Sequence, residues 1–345
     1  MTHTTASHPR RRPGGPRSPR LSLKLAEPPV RQGLPPLVVT ERQGPALRPN
    51  PLSQIVRGEV LGLNLSAHCG QECVFCFARA YPGQQAHDAF ALYADTAKQI
   101  RTELSQRRRM PRAVYLCPST DPFPPFVAAQ VEACRAVQAL AEFGVEPWIM
   151  TRGFIRPFAL DVLERLGDMI RVTIPMTTLD NRLRRALEPL TAPPRLRLKQ
   201  LRHLRELGIR TEAALEPLLP GLTDTRANLE PLLAALADAG VRHVTAGYLF
   251  LRHGIRENLL REYAGARGVI DAYETGPVLP MGTLAPAQHL PQRERQRGYG
   301  LLMTLAASRG IRVSISALSN PDFSSPSTGR LSPRGYYQKE LACLR

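Results

Sequence analysis

From about residue 57 onward, short apolar runs alternate with longer stretches whose apolar residues recur every three or four positions. The first pattern predicts strands and the second amphipathic helices. A first strand is expected over residues 60–65. Phe90, Tyr93, Ala97, Ile100 and Leu104 keep helical spacing and predict a helix running to the Arg107-Arg108-Arg109 cluster. Three cations there suit the negative end of a helix dipole. Further strands are expected over residues 113–117, 145–151, 169–175, 209–215 and 241–249. Between them the spacing predicts helices over residues 126–143 and 158–166, around Leu198 to Leu207, and around Leu229 to Leu236. Gly144, Gly208 and Gly240 stand where three of these helices should stop.

Six strand–helix units in series imply an α/β fold with a parallel sheet. Right-handed crossovers wind such a sheet into a barrel or part of one. No G-x-G-x-x-G follows the first strand, so a dinucleotide-binding Rossmann fold has no support. After residue 252 the pattern loosens. Leu301, Leu302 and Leu305 predict a helix, and Ile311, Val313 and Ile315 a strand. Residues 252–345 are expected to be an extension packed on the barrel, with a mobile Ser/Pro/Gly-rich tail from residue 323.

Composition changes the picture at the N-terminus. Residues 1–50 carry nine basic and two acidic residues, are rich in proline, and are expected to be disordered. They contain no apolar core of signal-peptide type, and no run of eighteen apolar residues occurs anywhere. A cytoplasmic protein without a membrane span is therefore expected. The net charge of +17 favours contact with a polyanion, most simply nucleic acid. The excess of arginine over lysine, with frequent Pro and Ala, is also what a GC-rich genome produces.

The chemistry is concentrated in Cys69-Gly70-Gln71-Glu72-Cys73-Val74-Phe75-Cys76, a C-x3-C-x2-C run directly after the first strand. Thiolates this close hold soft metal or an iron–sulfur cluster. Three ligands are one fewer than a four-iron cubane has irons, which leaves one iron open to something other than protein. The rival is a structural zinc with His68 as fourth ligand, or a non-catalytic cluster, in a basic nucleic-acid-binding protein without catalysis. Zinc sites usually pair two C-x2-C elements, and no second one exists here. In parallel barrels the reactive groups sit on loops at the C-terminal strand ends. Those loops carry Ser119, Thr120 and Asp121 after the second strand, Arg152 after the third, Thr177 and Thr178 after the fourth, and Pro217 in the turn after the fifth. Each has a plainer reading as a turn, cap or solvated residue. Cys117, closing the second strand, is either a small buried hydrophobe or a thiol facing the barrel mouth.

These segments together resemble the radical S-adenosylmethionine (radical SAM) superfamily, and within it the spore photoproduct lyase-like branch of bacterial proteins. The resemblance covers residues 51–251. It rests on the CGQECVFCFAR run from Cys69 to Arg79, on Ser119-Thr120-Asp121-Pro122-Phe123, Thr177-Thr178-Leu179-Asp180 and Leu187-Glu188-Pro189, and on the EPLLPGLTD run from Glu216 to Asp224. It implies a partial (β/α)6 TIM-like barrel. It implies that Cys69, Cys73 and Cys76 ligate three irons of a [4Fe-4S] cluster and that SAM chelates the fourth. Phe75, Ser119, Thr120, Asp121, Arg152, Thr177, Thr178 and Pro217 would line the cofactor. One-electron reduction, from a donor such as flavodoxin or ferredoxin, would cleave SAM to methionine and a 5′-deoxyadenosyl radical. That radical would abstract hydrogen from a substrate the sequence does not identify; a lyase repairing a DNA photolesion is one reaction the branch suggests. Cys117 would be the candidate hydrogen donor, offset by one residue from the branch's cysteine. Two further departures stand out: Arg152 replaces the branch's usual lysine, and Pro124-Pro125-Phe126 replaces an acidic position.

Overall fold

All six strands expected between residues 60 and 249 are present in the computed structural model, which describes residues 34–50, 58–80, 89–252, 254–281, 284–317, 319–323 and 336–338. In chain order the elements begin with β1 (Leu37–Thr40), β2 (Arg48–Pro49), β3 (Val60–Leu63), β4 (Phe90–Tyr93) and α1 (Thr96–Ser105). The regular alternation follows: β5 (Ala113–Leu116), α2 (Val127–Glu142), β6 (Glu146–Met150), α3 (Pro157–Leu166), β7 (Arg171–Pro175), α4 (Asn181–Leu187), α5 (Pro194–Glu206), β8 (Arg210–Leu218), α6 (Arg226–Asp238) and β9 (His243–Tyr248). The C-terminal part adds β10 (Phe250–Leu251), α7 (Ile255–Glu262), α8 (Ala266–Asp271), β11 (Val278–Met281), β12 (Leu284–His289), α9 (Gln292–Ala307), β13 (Arg312–Ser316) and β14 (Tyr336–Gln338).

The main sheet has the order β14-β13-β9-β8-β7-β6-β5-β3-β2. From β3 to β13 every neighbouring pair is parallel, and β2 and β14 close the two edges antiparallel. The two edge strands do not pair with each other, so the barrel is partial. The C-terminal extension supplies β13, a parallel strand beyond the six of the (β/α)6 unit. Successive residues of a strand face opposite sides, and the two faces differ in kind. Leu61, Leu63, Val114, Leu116, Ile149, Val172 and Ile174 join the helix residues in one large apolar core. The alternate positions, among them Tyr115, Trp148, Glu212, Glu216, His243 and Thr245, face the lumen.

Two expectations are corrected. Phe90 and Tyr93 are not in a helix: the segment is β4, paired in parallel with β1 over Leu37↔Phe90 to Thr40↔Tyr93. Asp95, at φ +50°, separates it from α1, which starts at Thr96. The apolar spacing of three fits both elements over so short a stretch. The second correction concerns the N-terminus: residues 34–50 are built into the fold through β1 and β2. Residues 1–33, and most of the tail expected to be mobile, lie outside the described residues.

Candidate active site

The cysteine loop leaves the C-terminal end of β3 and is held by its neighbours on both sides. Val74 N–H donates to Leu187 O at 2.9 Å, Leu190 N–H to Gln71 O at 3.3 Å, and Cys76 N–H to Cys73 O at 3.1 Å. Val74 and Phe75 are buried and anchor the loop as an apolar wedge. Cys73 is buried, while Cys69 and Cys76 are half-buried. A short 3-10 turn, Phe77–Ala80, follows directly.

The loop's thiols lie within electrostatic reach of one another. Burial first, then Asp121, Cys76 and Cys73, push the Cys69 thiol well up. Burial also pushes Cys73 up, with Arg152 and Arg197 working against it and Glu188 with it. Both are therefore neutral thiols at pH 7, and a metal would displace their protons on binding. A zinc ion needs four ligands converging at about 2.0–2.3 Å. In a cubane each thiolate binds a different iron, so three cysteines with one open iron fit that group by number and type. His68, the imagined fourth zinc ligand, is engaged elsewhere: its Nε2 lies 2.6 Å from Ala89 O, and its ring packs edge-on against Phe90.

Asp121 ties two of the strand-end loops together. Its Oδ1 accepts from Phe123 N–H at 2.8 Å and Thr151 Oγ1 at 2.6 Å, and its Oδ2 from Arg152 N–H at 2.8 Å. Ser119 is held by its N–H, which donates to Asn64 Oδ1 at 3.2 Å. Cys117 is 3% exposed with φ +56°, an uncommon conformation for a residue with a Cβ. Burial pushes its thiol up to about 12, against hydrogen bonds from Thr120 and the Leu65 backbone. It belongs to the same large apolar cluster as Cys73, Val74 and Phe75.

Arg152 is the cation of the site. Its guanidinium lies over the Phe75 ring, with CZ 5.5 Å from the centroid. Nε donates to Glu188 Oε1 at 3.3 Å and Nη2 to Glu216 O at 2.5 Å. Burial works against its charge, but the Glu188 carboxylate holds it protonated. Glu188, fully buried, also accepts from Thr177 Oγ1 at 3.0 Å, from Thr191 Oγ1 at 3.3 Å, and from Arg197. Its carboxyl is held low: burial opposes this, and Arg197 and Arg152 outweigh it. Arg197, 1% exposed, further donates to Ala192 O at 2.8 Å and Pro175 O at 2.9 Å. Thr178 Oγ1 accepts from Asp180 N–H at 3.0 Å, and Asp180 in turn caps α4 through Arg182 N–H at 2.7 Å.

The structure thus joins Phe75, Asp121, Arg152 and Thr177 into one bonded neighbourhood beside the cysteine loop. Ser119, Thr120, Thr178 and Pro217 stand on the same rim of strand ends. Sequence reasoning gave no role to Glu188 and Arg197, which neutralise and orient that neighbourhood. The one signal available was the Leu187-Glu188-Pro189 run.

Residues 63–230 match the family model of the radical SAM superfamily. The chain carries a radical SAM domain. That superfamily uses a [4Fe-4S] cluster and SAM. An uncharacterized protein of Mycobacterium tuberculosis is 27% identical over 226 residues, which span 61% of this chain and 66% of the relative. A radical SAM Nalpha-GlyT isomerase of Pseudomonas phage M6 is 24% identical over 183 residues, 53% of this chain and 38% of that protein. Among solved structures, a spore photoproduct lyase mutant aligns at TM-score 0.63 with 14% identity, covering 80% of this chain and 81% of that one. Another form of that lyase, with bound AdoMet and dinucleoside spore photoproduct, aligns at TM-score 0.59. At this identity the likeness concerns the fold: an α/β parallel sheet of the radical SAM type. No helix among the described residues is long and apolar enough to cross a membrane.

Proposed function

We propose that this protein is a radical SAM enzyme in which Cys69, Cys73 and Cys76 ligate three irons of the cluster. The observation that carries the reading is three thiols on one loop at a C-terminal strand end, with the half-buried Arg152 cation over the loop's own Phe75. When bound, the cluster supplies the electron that cleaves SAM reductively. The chain's residues do the rest. Arg152 offers a fixed positive charge to a carboxylate, and Glu188 holds that guanidinium in place without quenching it, since Arg197 shares the carboxylate. Asp121 fixes the Arg152 backbone. Thr177, Thr178, Ser119 and Thr120 present short polar groups around the same mouth, and Pro217 an apolar wall. Burial of Cys73, Val74 and Phe75 limits water on that side of the loop.

The substrate remains to be found by assay. A net charge of +17 supports a polyanion, and the lyase-like fold makes a dinucleoside photolesion the first compound to try. A one-electron protein donor such as flavodoxin or ferredoxin would deliver the reducing equivalent, and a cytoplasmic setting would keep the thiols reduced. The deciding experiment is anaerobic reconstitution with iron and sulfide, then dithionite and SAM, with 5′-deoxyadenosine followed by chromatography. The protein is expected to turn brown and to form 5′-deoxyadenosine, and Cys73→Ala to lose both properties. Zinc in place of iron, with no chromophore, would overturn the assignment.

A further inference from the structure

The short turn that follows the third cysteine is held by a part of the chain almost two hundred residues away. Arg79, in the Phe77–Ala80 turn, forms a two-pronged ion pair with Glu262 at the end of α7: Nη1 to Oε2 and Nη2 to Oε1, each 2.7 Å. The side chains are 14% and 27% exposed, so the pair is shielded from bulk solvent more than a surface pair is. The hydrogen bonds to Glu262 hold the Arg79 cation, against the effect of burial, and hold the Glu262 carboxyl down. The same Arg79 Nη1 also reaches back to Cys73 O at 3.5 Å. A second contact comes from the chain just beyond β10: the Arg252 guanidinium lies 6.0 Å from the centroid of Phe77, the residue next to Cys76. The C-terminal extension therefore grips the cysteine loop at Phe77 and at Arg79.

The rest of the loop is tied to the barrel through Val74 and Gln71. Beyond Cys76, the Arg79–Glu262 pair is a bidentate link from that end to α7. Planar guanidinium–carboxylate pairs of this form fix orientation as well as distance.

We propose that the C-terminal extension is part of the cluster site, with Arg79 and Glu262 as positioning residues that hold the Cys73–Cys76 half of the loop closed. The proposal rests on the reading of the three cysteines as cluster ligands. Loosening this pair lets the loop open locally without unfolding the barrel, and an opened loop exposes the cluster to oxygen and chelators. The readout is therefore the cluster, not turnover.

The test uses the full chain, reconstituted anaerobically, then exposed to air-saturated buffer while iron–sulfur absorbance is followed. Iron retained after a chelator is measured in parallel. Glu262→Gln is expected to bleach about fivefold faster than the parent, the change in an opening equilibrium when one such pair is lost. Arg261→Gln is the control, because Arg261 also touches Glu262, at 2.7 Å, and otherwise bonds Asn258 within its own helix; it is expected to bleach at the parental rate. The double exchange Arg79→Glu with Glu262→Arg is expected to recover most of the parental rate. Thermal melting of each variant separates local opening from unfolding. Parental bleaching in Glu262→Gln overturns the proposal, as does equal acceleration in Arg261→Gln. A double exchange that melts like the parent yet bleaches like Glu262→Gln overturns it too. A parent that takes up no cluster sinks the cysteine reading itself, whereas a parent with a cluster and an indifferent Glu262→Gln sinks the latch alone.

Discussion

Replacing Glu188 by Gln should expose what the buried charge network is worth. The carboxylate is fully buried and faces Arg197 and Arg152, themselves buried or nearly so. Gln keeps the shape and an acceptor but leaves two guanidinium groups without their shared counter-charge. Removing one partner of a buried ion pair costs about 3–5 kcal/mol. The remaining bonds of Arg197 to Ala192 O and Pro175 O, and of Arg152 to Glu216 O, keep the cost from rising further. With an unfolding entropy of about 2 cal/mol/K per residue, a chain of 345 residues should lose about 4–7 °C in melting temperature. The assay is thermal unfolding of the apo protein by circular dichroism at pH 7. A second arm fixes the sign with pH. The Glu188 carboxyl is depressed in the folded state, so its stabilisation is present above the unfolded carboxylate range and is lost as pH falls through the folded value. The gap between parent and Glu188→Gln should therefore begin to narrow below about pH 4 and close as pH falls through the lower, folded value. A loss under about 1 °C at pH 7, or a gap that persists in acid, would refute the view that Glu188 stands as a buried anion between two cations.

Other expectations follow from single contacts. Burial pushes the Glu216 carboxyl up to about 7, so its ionisation destabilises the folded chain as pH rises from the unfolded value towards 7. Glu216→Gln should raise the melting temperature at pH 8 and leave it unchanged at pH 4; a fall at pH 8 would contradict this. Gly153→Ala would put a Cβ 1.8 Å from Phe123 O, so the turn that carries Arg152 must move; a drop of several degrees in melting temperature and weaker SAM binding by calorimetry are expected. Cys117→Ser should leave 5′-deoxyadenosine formation intact if Cys117 only packs, and should divert the products of the true substrate if it donates hydrogen.

The barrel was legible because burial leaves a periodic trace. Each parallel strand reads as a short apolar run, each helix as a repeat of three and four, and Gly144, Gly208 and Gly240 all adopt positive φ just past helix ends. The cysteine loop was legible because its ligands are local in sequence. What escaped are features whose partners are remote. Glu188 and Arg197 are charged residues on what reads as a solvated helix and turn; only the fold shows that both are buried against Arg152. The pairing of β1 with β4 joins residues 53 apart in register, and nothing in either run marks the other. Arg79 and Glu262 are ordinary charges until the extension is folded back.

One consequence concerns how a substrate reaches the lumen. A closed barrel can be entered only from its ends, and anything long must be threaded. Here β2 and β14 stand as two separate edges, and Pro49 on the first has no N–H with which to extend the ladder. Among the described residues the wall is therefore open between these two edges, and the lumen is bounded on that side by single strands rather than by a continuous ladder.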